Sequence, residues 1–289
     1  MTVGPGWDLA LARAASVRVT MLVGDVDSGK TSLATFLANG LQRRGFRVGI
    51  VDADLGQSEI GPPTTVGLGL PQRMLTRLSD ADVAGLSFVG SMSPEGHVVS
   101  TVAATREMVE RAIALDLDRI IVDTSGLVAG PLGRALKQRK IQAVDPDLLI
   151  RLERVEECSF VDSLPERLDL LRLRVSEHAR PRSAAQRRRY RESALATYFT
   201  GAERRRLAVA GLTFRAMADR AEALGCFDAG LEGALVGLDD AAGKTLGIGV
   251  IRAADDRVLV IDTPVYDVGV AGVRLGRQSS AHRIGEVTR

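Results

Sequence analysis

Gly24 and Gly29 belong to a short segment, GDVDSGKT, that ends in Lys30 and Thr31. The segment fits the pattern G-x-x-x-x-G-K-[ST], and it lies between an apolar run typical of a strand and a stretch with helical periodicity. In this pattern backbone N–H groups curl around phosphate oxygens, the lysine reaches the terminal phosphates, and the threonine hydroxyl can bind magnesium. We call residues 24–31 the phosphate loop and expect them, with the next residue, to bind a nucleoside triphosphate. The expected binding residues are Gly24, Asp25, Val26, Asp27, Ser28, Gly29, Lys30, Thr31 and Ser32.

A second Gly-Lys-Thr tripeptide occurs in GLDDAAGKT, residues 237–245. It has one residue too many between its glycines, and a strand-like run, LGIGVI, follows it instead of a helix. The segment therefore predicts a hairpin turn and not a second phosphate site.

Acidic residues end two apolar runs. Asp52 and Asp54 lie in VDADLGQSEIGPPTT, and Asp123 ends RIIVD. Carboxyl ends of neighbouring parallel strands share one edge of a sheet, so these carboxylates are expected beside the phosphate loop. A carboxylate there can hold magnesium through water or accept the proton of an attacking hydroxyl. Asp52 could instead cap the following turn, and Asp123 could contact the site or support the backbone after it.

Positive charge is concentrated in residues 167–191, where nine arginines stand against two acidic residues. Such a run is often the solvated face of a helix. Beside a complete phosphate loop, guanidinium groups can also stabilise a phosphoryl group in transfer and attract a nucleic-acid backbone. The arginines are Arg167, Arg172, Arg174, Arg180, Arg182, Arg187, Arg188, Arg189 and Arg191.

These motifs must be positioned by a scaffold of strands and helices, and the first part of the chain shows alternating strand-like and helix-like segments. Five segments contain strand-like apolar runs: SVRVTMLV, FRVGIVDAD, GLSFVG, DRIIVDT and PDLLIRL. Stretches with helical periodicity lie between several of them. This alternation predicts an α/β fold with a mainly parallel sheet flanked by helices, over residues 1–205. From about residue 206 short strands and Gly turns predict a small β-rich C-terminal domain, residues 206–289.

Composition limits the class of protein. The chain has 289 residues, 45% of them hydrophobic, which is ample for a sizeable core. No apolar run approaches the roughly 18 residues of a membrane span, and the first residues lack the layout of a secretion signal. Cys158 and Cys226 lie far apart without a metal-ligand spacing, so we expect the protein in the reducing cytoplasm. Because no apolar run is long enough to span a bilayer, we expect no membrane partner.

Five segments, in this order, resemble the polynucleotide 5'-hydroxyl kinase family: GDVDSGKTSLATFLANGL, VDADLGQSEIGPPTT, FVGSMSPEGH, IIVDTSGLVAG and RRRYRESALATYFTG. Eukaryotic members of that family serve in pre-mRNA cleavage, tRNA splicing and ribosomal RNA processing, and its smaller archaeal and bacterial members resemble this chain most. The likeness continues into LEGALVGLDDAAGKTLGIGVI and VIDTPV, which are similar to the family's C-terminal module. The resemblance implies a P-loop NTPase fold.

The resemblance also implies roles at the matching positions. Lys30 and Thr31 would act on the nucleotide phosphates and magnesium, and Asp54 would activate the acceptor hydroxyl. From their position at the strand end, Asp54 and Asp52 are also expected, with Thr31, as magnesium ligands. DTSGLV, which we call the clasp segment (residues 123–128), matches the part that holds the acceptor strand. The expected acceptor-binding residues are Gln57, Thr124, Ser125 and Gly126. The arginine-rich helix matches a lid near residues 178–200, in which Arg187, Arg188 and Arg191 align as catalytic positions.

Taken together, these features predict a magnesium-dependent enzyme that transfers the γ-phosphate of ATP or GTP to the 5'-hydroxyl end of RNA or DNA. Two other interpretations stay open. One is a nucleotide-switched ATPase or GTPase that serves as a binding or assembly factor. The other is a P-loop kinase that acts on a small anionic metabolite.

Overall fold

A computed structural model describes residues 4–154, 167–177, 179–216, 231–266 and 269–276, so Cys158 and Cys226 lie outside the described residues. The helices are α1 (Trp7–Ala14), α2 (Lys30–Arg43), α3 (Val98–Ala114), α4 (Gly130–Val144) and α5 (Ala184–Tyr198). The strands are β1 (Val19–Gly24), β2 (Val48–Ala53), β3 (Thr65–Leu70), β4 (Asp82–Phe88), β5 (Arg119–Thr124), β6 (Leu148–Glu153), β7 (Asp169–Arg174), β8 (Glu203–Ala208), β9 (Thr213–Ala216), β10 (Leu235–Asp239), β11 (Thr245–Ala254), β12 (Val258–Thr263) and β13 (Gly272–Leu275).

The parallel part of the sheet has the order β7-β6-β1-β5-β2. β1 pairs with β5 on one side and with β6 on the other, and β2 pairs with β5 in a register that places Asp52 beside Asp123. Because all five strands run the same way, the residues that follow β1, β2 and β5 emerge at one edge. This arrangement confirms the predicted α/β fold with a mainly parallel core sheet.

β3 and β4 extend the sheet beyond β2 with antiparallel pairing. The sequence analysis did not predict β3, whose run TVGLGL contains two glycines. A Cβ atom on Gly67 would lie 2.0 Å from the carbonyl oxygen of Ile60, so glycine is required for this close approach. The segment after β2 therefore packs directly onto β3, and this packing fixes the path of the chain after Asp54.

Short strands in the last part of the chain continue the sheet. β11 pairs with β4, β10 pairs with β11 and β13, and β12 pairs with β11 and β8. β10 and β11 form an antiparallel hairpin whose turn carries Lys244, so the predicted hairpin in GLDDAAGKT is confirmed. The domain boundary at residue 205 stays a prediction.

The helices cover the two faces of the parallel strands. α1 and α2 contribute to an apolar layer that includes Trp7, Leu33 and Leu37, and α3 and α4 contribute to a second layer that includes Met108 and Ile141. Burial of both faces explains why the core strands are continuous apolar runs. In the described ranges no helix combines the length and the apolar content that a bilayer crossing needs.

α5 is the arginine-rich helix, and both of its ends are anchored. Ser183 caps the N-terminus, because its hydroxyl accepts the Gln186 N–H while the Gln186 side chain accepts the Ser183 N–H. At the other end Leu195 and Phe199 pack with β4 and β11 residues in an apolar cluster, and the Tyr198 hydroxyl accepts the Ile248 N–H at 2.9 Å. The C-terminal strands thus hold one end of α5.

Candidate active site

The phosphate loop leaves β1 at Gly24 and enters α2 at Lys30, which confirms the predicted strand–loop–helix context. Gly29 is the N-cap of α2 with a φ of 93°, a left-handed conformation that glycine adopts without strain. The first N–H groups of an α-helix have no acceptor within the helix, and helix N-termini therefore favour anions. The backbone here is shaped for a phosphate group.

Lys30 is a buried cation inside this loop, with 6% of its surface exposed. Its ammonium group donates hydrogen bonds to the Asp25 carbonyl at 2.7 Å and to the Ser28 hydroxyl at 3.3 Å. Burial lowers the pKa of Lys30, and the charges of Asp123 and Asp54 oppose that shift. The lysine is therefore held at the loop by neutral oxygens, with carboxylates farther away.

Thr31 and Asp123 form a direct contact between the phosphate loop and β5. The Thr31 hydroxyl donates a hydrogen bond of 2.7 Å to one carboxylate oxygen of Asp123, while the other oxygen, Oδ1, is buried without a hydrogen-bond partner. Burial raises the pKa of Asp123 to about 6, although Lys30 and Thr31 act in the opposite direction. Of the two roles left open by the sequence, this geometry favours a contact with the site.

Asp54 begins the turn that follows β2. Its Oδ1 accepts the N–H groups of Gly56 at 3.1 Å and Gln57 at 3.0 Å, which fixes the carboxylate at the mouth of the turn. The turn is joined to α5, because the Gln57 side chain donates to the Arg187 carbonyl and the Tyr190 hydroxyl donates to the Ser58 carbonyl. Asp54 therefore lies between the phosphate loop and the arginine-rich helix.

Asp52 has a different environment, since the residue is 2% exposed and its carboxylate contacts the loop that follows. It accepts N–H groups from Asp54 at 3.1 Å, Glu59 at 2.6 Å and Ile60 at 3.1 Å. Burial raises the pKa of Asp52 to about 8, and the charges of Asp123 and Asp54 add to this, whereas the N–H donors oppose it. These contacts match the turn-capping role that the sequence left open for Asp52.

Replacing Asp52 by alanine is therefore expected to lower the free energy of unfolding by about 3 kcal/mol, because three buried or half-buried N–H groups lose their acceptor. Asp54→Ala removes two such bonds from a more open turn and is expected to cost less. Chemical denaturation of both variants measures the difference. An Asp52→Ala variant as stable as the native chain would show that these hydrogen bonds do not hold the loop.

The clasp segment packs against the phosphate loop. Thr124 ends β5, and its hydroxyl donates to the Leu22 carbonyl of β1 at 2.7 Å. A Cβ atom on Gly126 would lie 2.5 Å from the Cα atom of Val26, so only glycine permits this approach. The predicted acceptor-binding and nucleotide-binding segments are thus in direct van der Waals contact.

Arginines of the lid reach the phosphate loop through Asp27. The Asp27 carboxylate, 5% exposed, lies 2.9 Å from Nε of Arg182 and 3.3 Å from a terminal nitrogen of Arg187. Burial alone would raise the pKa of Asp27, but hydrogen bonds and charge from Arg182, together with the charge of Arg187, lower it. Asp27 is therefore ionised and fixes two guanidinium groups beside the loop.

One cavity of about 710 Å³ collects most of the predicted site residues. The following line it: Val26, Asp27, Ser28, Gly29, Lys30, Thr31, Ser32, Asp54, Gln57, Thr124, Ser125, Gly126, Arg187 and Arg191. Gly24, Asp25 and Asp52 do not line it. Arg188 does not line it either, and it forms an exposed ion pair with Glu192 on the outer side of α5.

The structure adds residues that the sequence analysis did not assign to the site. Arg180 and Arg182 line the cavity from the segment before α5, and Met92 and Pro94 line it from the loop after β4. The arginines were part of the basic run, and their position on either side of Pro181, just before a Ser183 cap, was a signal that they precede the helix. Met92 and Pro94 belong to FVGSMSPEGH, a segment that carried the family resemblance but to which no site role was assigned.

Comparison with known proteins is consistent with this geometry. Residues 24–201 match the family model described as mRNA cleavage and polyadenylation factor CLP1 P-loop. The matched range runs from the phosphate loop to the end of α5 and so contains every element of the cavity named above.

Curated relatives include archaeal proteins named polyribonucleotide 5'-hydroxyl-kinase. The Pyrococcus furiosus protein is 39% identical over 184 residues, which is 63% of this chain and 51% of the relative. The Methanocaldococcus jannaschii protein is 38% identical over 180 residues, covering 62% and 49%. The chain thus spans about half the length of these relatives.

A solved structure extends the likeness to the fold. The Clp1p chain of a Clp1p–Pcf11p complex superposes with a TM-score of 0.70 over 93% of this chain and 77% of that chain, at 14% identity. At this identity the match concerns the fold alone. With the family model covering more than half of the sequence, the chain belongs to the CLP1 P-loop family.

Proposed function

We propose that this chain is a polynucleotide 5'-hydroxyl kinase that transfers the γ-phosphate of ATP or GTP to the 5'-hydroxyl end of RNA or DNA. The observation that carries the proposal is the single cavity in which a phosphate loop, an acidic turn, the clasp segment and lid arginines meet. The names of the archaeal relatives support this acceptor class and favour RNA.

On the donor side, the phosphate loop would bind the β- and γ-phosphates. Loop N–H groups and Lys30 would face the phosphate oxygens, and the ammonium group would exchange its present bonds to Asp25 and Ser28 for bonds to phosphate. Arg187 and Arg191 line the same cavity from the lid and would neutralise charge on the transferring group.

The residues present fit a magnesium ion. Asp123 Oδ1 is a buried carboxylate oxygen without a hydrogen-bond partner, and Thr31, whose hydroxyl donates to Asp123 Oδ2, lines the cavity together with Asp54. Among the described residues no group of three or more His, Cys, Asp or Glu side chains forms a complete metal site, which suits an ion that keeps water and phosphate ligands. Thr31, Asp123 and Asp54 would hold it, and when bound it supplies positive charge to the phosphate oxygens.

On the acceptor side, the clasp segment would place the strand end in line with the γ-phosphate. Asp54 would take the proton of the 5'-hydroxyl as that oxygen forms a bond to the γ-phosphorus. The bond between the γ-phosphorus and the β–γ bridging oxygen breaks, and the nucleoside diphosphate leaves. Most of the rate would come from positioning and from charge stabilisation within the cavity.

Incubation with γ-labelled ATP or GTP and a short 5'-hydroxyl oligonucleotide tests the proposal. Label on the oligonucleotide supports it. Release of free phosphate alone would indicate a nucleotide switch, and transfer only to a small anionic acceptor would indicate a metabolite kinase. Matched RNA and DNA strands in the same assay identify the acceptor.

The two faces of α5 give a matched test of the lid. Replacing Arg187 and Arg191 by alanine should lower the maximal transfer rate by about 10²-fold, because guanidinium groups lining the cavity are lost. Replacing Arg188 and Arg189, which lie outside the cavity, should change that rate by less than about threefold. Steady-state kinetics at several salt concentrations checks both variants. Equal effects of the two pairs would mean that α5 contributes general charge only.

A further inference from the structure

Two lysines of α4, Lys137 and Lys140, are fully buried, each with 0% of its surface exposed. They lie one helical turn apart, and their side chains reach the edge of the sheet where β2 and β5 end. A buried ammonium group is costly unless polar atoms replace its water, so its contacts indicate what it holds in place. The sequence analysis assigned no role to either residue.

Lys137 binds the clasp segment with its whole hydrogen-bonding capacity. Its Nζ donates to the Thr124 hydroxyl at 2.9 Å and to the carbonyl and hydroxyl oxygens of Ser125. An ammonium group has three donors, so these contacts use all of them. Thr124 in turn donates to the Leu22 carbonyl, which continues the chain of hydrogen bonds from α4 through the clasp into β1.

The clasp is fixed between α4 and the phosphate loop. On one side Gly126 packs against Val26 of the phosphate loop. On the other side α4 approaches the clasp closely, since a Cβ atom on Gly133 would lie 2.7 Å from the Val128 backbone. Burial lowers the pKa of Lys137 well below its ordinary value, Lys140 and Lys30 add to the shift, and the charges of Asp54 and Asp123 oppose it. Its hydrogen-bond acceptors are the neutral hydroxyl and carbonyl oxygens of Thr124 and Ser125.

We propose that Lys137 is a positioning residue that fixes the clasp, and with it the acceptor end, at a set distance from the phosphate loop. The expected effect on the transfer rate rests on the proposed function, whereas the expected effect on the position of the clasp rests on the contacts described above. A displacement of about 1 Å in a reacting group can cost about 10²-fold in rate. The hydrogen bonds of Lys137 go to Thr124 and Ser125, whereas the proposed nucleotide and magnesium contacts come from the phosphate loop, Asp54 and Asp123, so nucleotide affinity should change little.

Lys140 provides the matched control. It is on the same helix and equally buried, but its Nζ donates its hydrogen bond to the Ala53 carbonyl at 3.0 Å, beside the acidic turn, and not to an oxygen of the clasp. Lys137→Met and Lys140→Met remove the same amino group and keep a similar length of apolar side chain. A general loss of packing would affect both variants alike.

The test has two measurements. In Lys137→Met, hydrogen–deuterium exchange of clasp amides 125–128 should accelerate about tenfold or more, while exchange of the phosphate-loop amides should not change. In Lys140→Met, exchange of the clasp amides should stay near native. Transfer kinetics of Lys137→Met should show a kcat lowered by about 10²-fold at an unchanged nucleotide Kd. If Lys137→Met does not fold, Lys137→Gln, which keeps an N–H donor, takes its place with a smaller change in the same direction.

Unchanged exchange at the clasp, or equal changes in the two variants, would overturn the proposal. So would a nucleotide Kd that weakens in parallel with transfer. If the native chain transfers no phosphate to a 5'-hydroxyl end, the proposed function fails, while the exchange measurement still decides whether Lys137 fixes the clasp.

Discussion

Replacing Lys30 by alanine is expected to lower the rate of phosphate transfer by about 10³-fold or more, because the cation that we propose to face the γ-phosphate is lost. The fold should survive. Lys30 donates hydrogen bonds to two oxygens of its own loop, Asp25 O and Ser28 Oγ, and it is not among the residues of the apolar layer beneath α2 in the described part of the chain.

Lys244→Ala is the control for this change. Lys244 stands in the same Gly-Lys-Thr tripeptide but lies exposed in the hairpin between β10 and β11. Single-turnover transfer and a thermal melt of each variant separate loss of chemistry from loss of structure. A folded Lys30→Ala variant with near-native transfer would contradict the role of the phosphate loop.

Replacing Asp54 by asparagine should lower transfer by about 10² to 10⁴-fold, the usual range for loss of a general base. The amide keeps the shape of the side chain and can still accept the Gly56 and Gln57 N–H groups through its oxygen, so the turn should stay in place. It can neither take a proton nor attract magnesium as a charge. Nucleotide affinity should change little if Asp54 acts on the acceptor.

The nucleotide Kd of Asp54→Asn, measured over a magnesium titration, separates the two roles of this carboxylate. A weaker Kd and a rate partly restored by excess magnesium would mean that Asp54 chiefly holds the ion. If Asp54→Asn keeps near-native transfer while Asp123→Asn loses it, the activating carboxylate is Asp123, and the assignment is wrong.

The sequence predicted the parts of the site that depend on local pattern. The phosphate loop is a contiguous motif with a required context, and the rule that parallel strands share one edge placed Asp54 and Asp123 beside it. The family resemblance added the clasp and the lid. These inferences needed no knowledge of side-chain direction beyond the strand ends.

Side-chain direction was the part that the sequence did not determine. Asp52 and Asp54 both follow an apolar run, and only the folding of residues 54–60 back onto Asp52 buries one and leaves the other at the cavity. Arg188 neighbours Arg187 in sequence, but the packing of α5 turns it toward Glu192. Lys137 and Lys140 gave no signal, because lysine is ordinarily exposed and burial depends on polar atoms from distant strands.

The most direct test of the account compares two oligonucleotides of one sequence, one with a 5'-hydroxyl and one with a 5'-phosphate, in a single-turnover reaction with γ-labelled nucleotide and the native chain. The account predicts label at the 5' end of the hydroxyl strand, none on the phosphate strand, and one nucleoside diphosphate formed for each labelled end. Diphosphate formation at the same rate with either strand, with the label recovered as free phosphate, would contradict it.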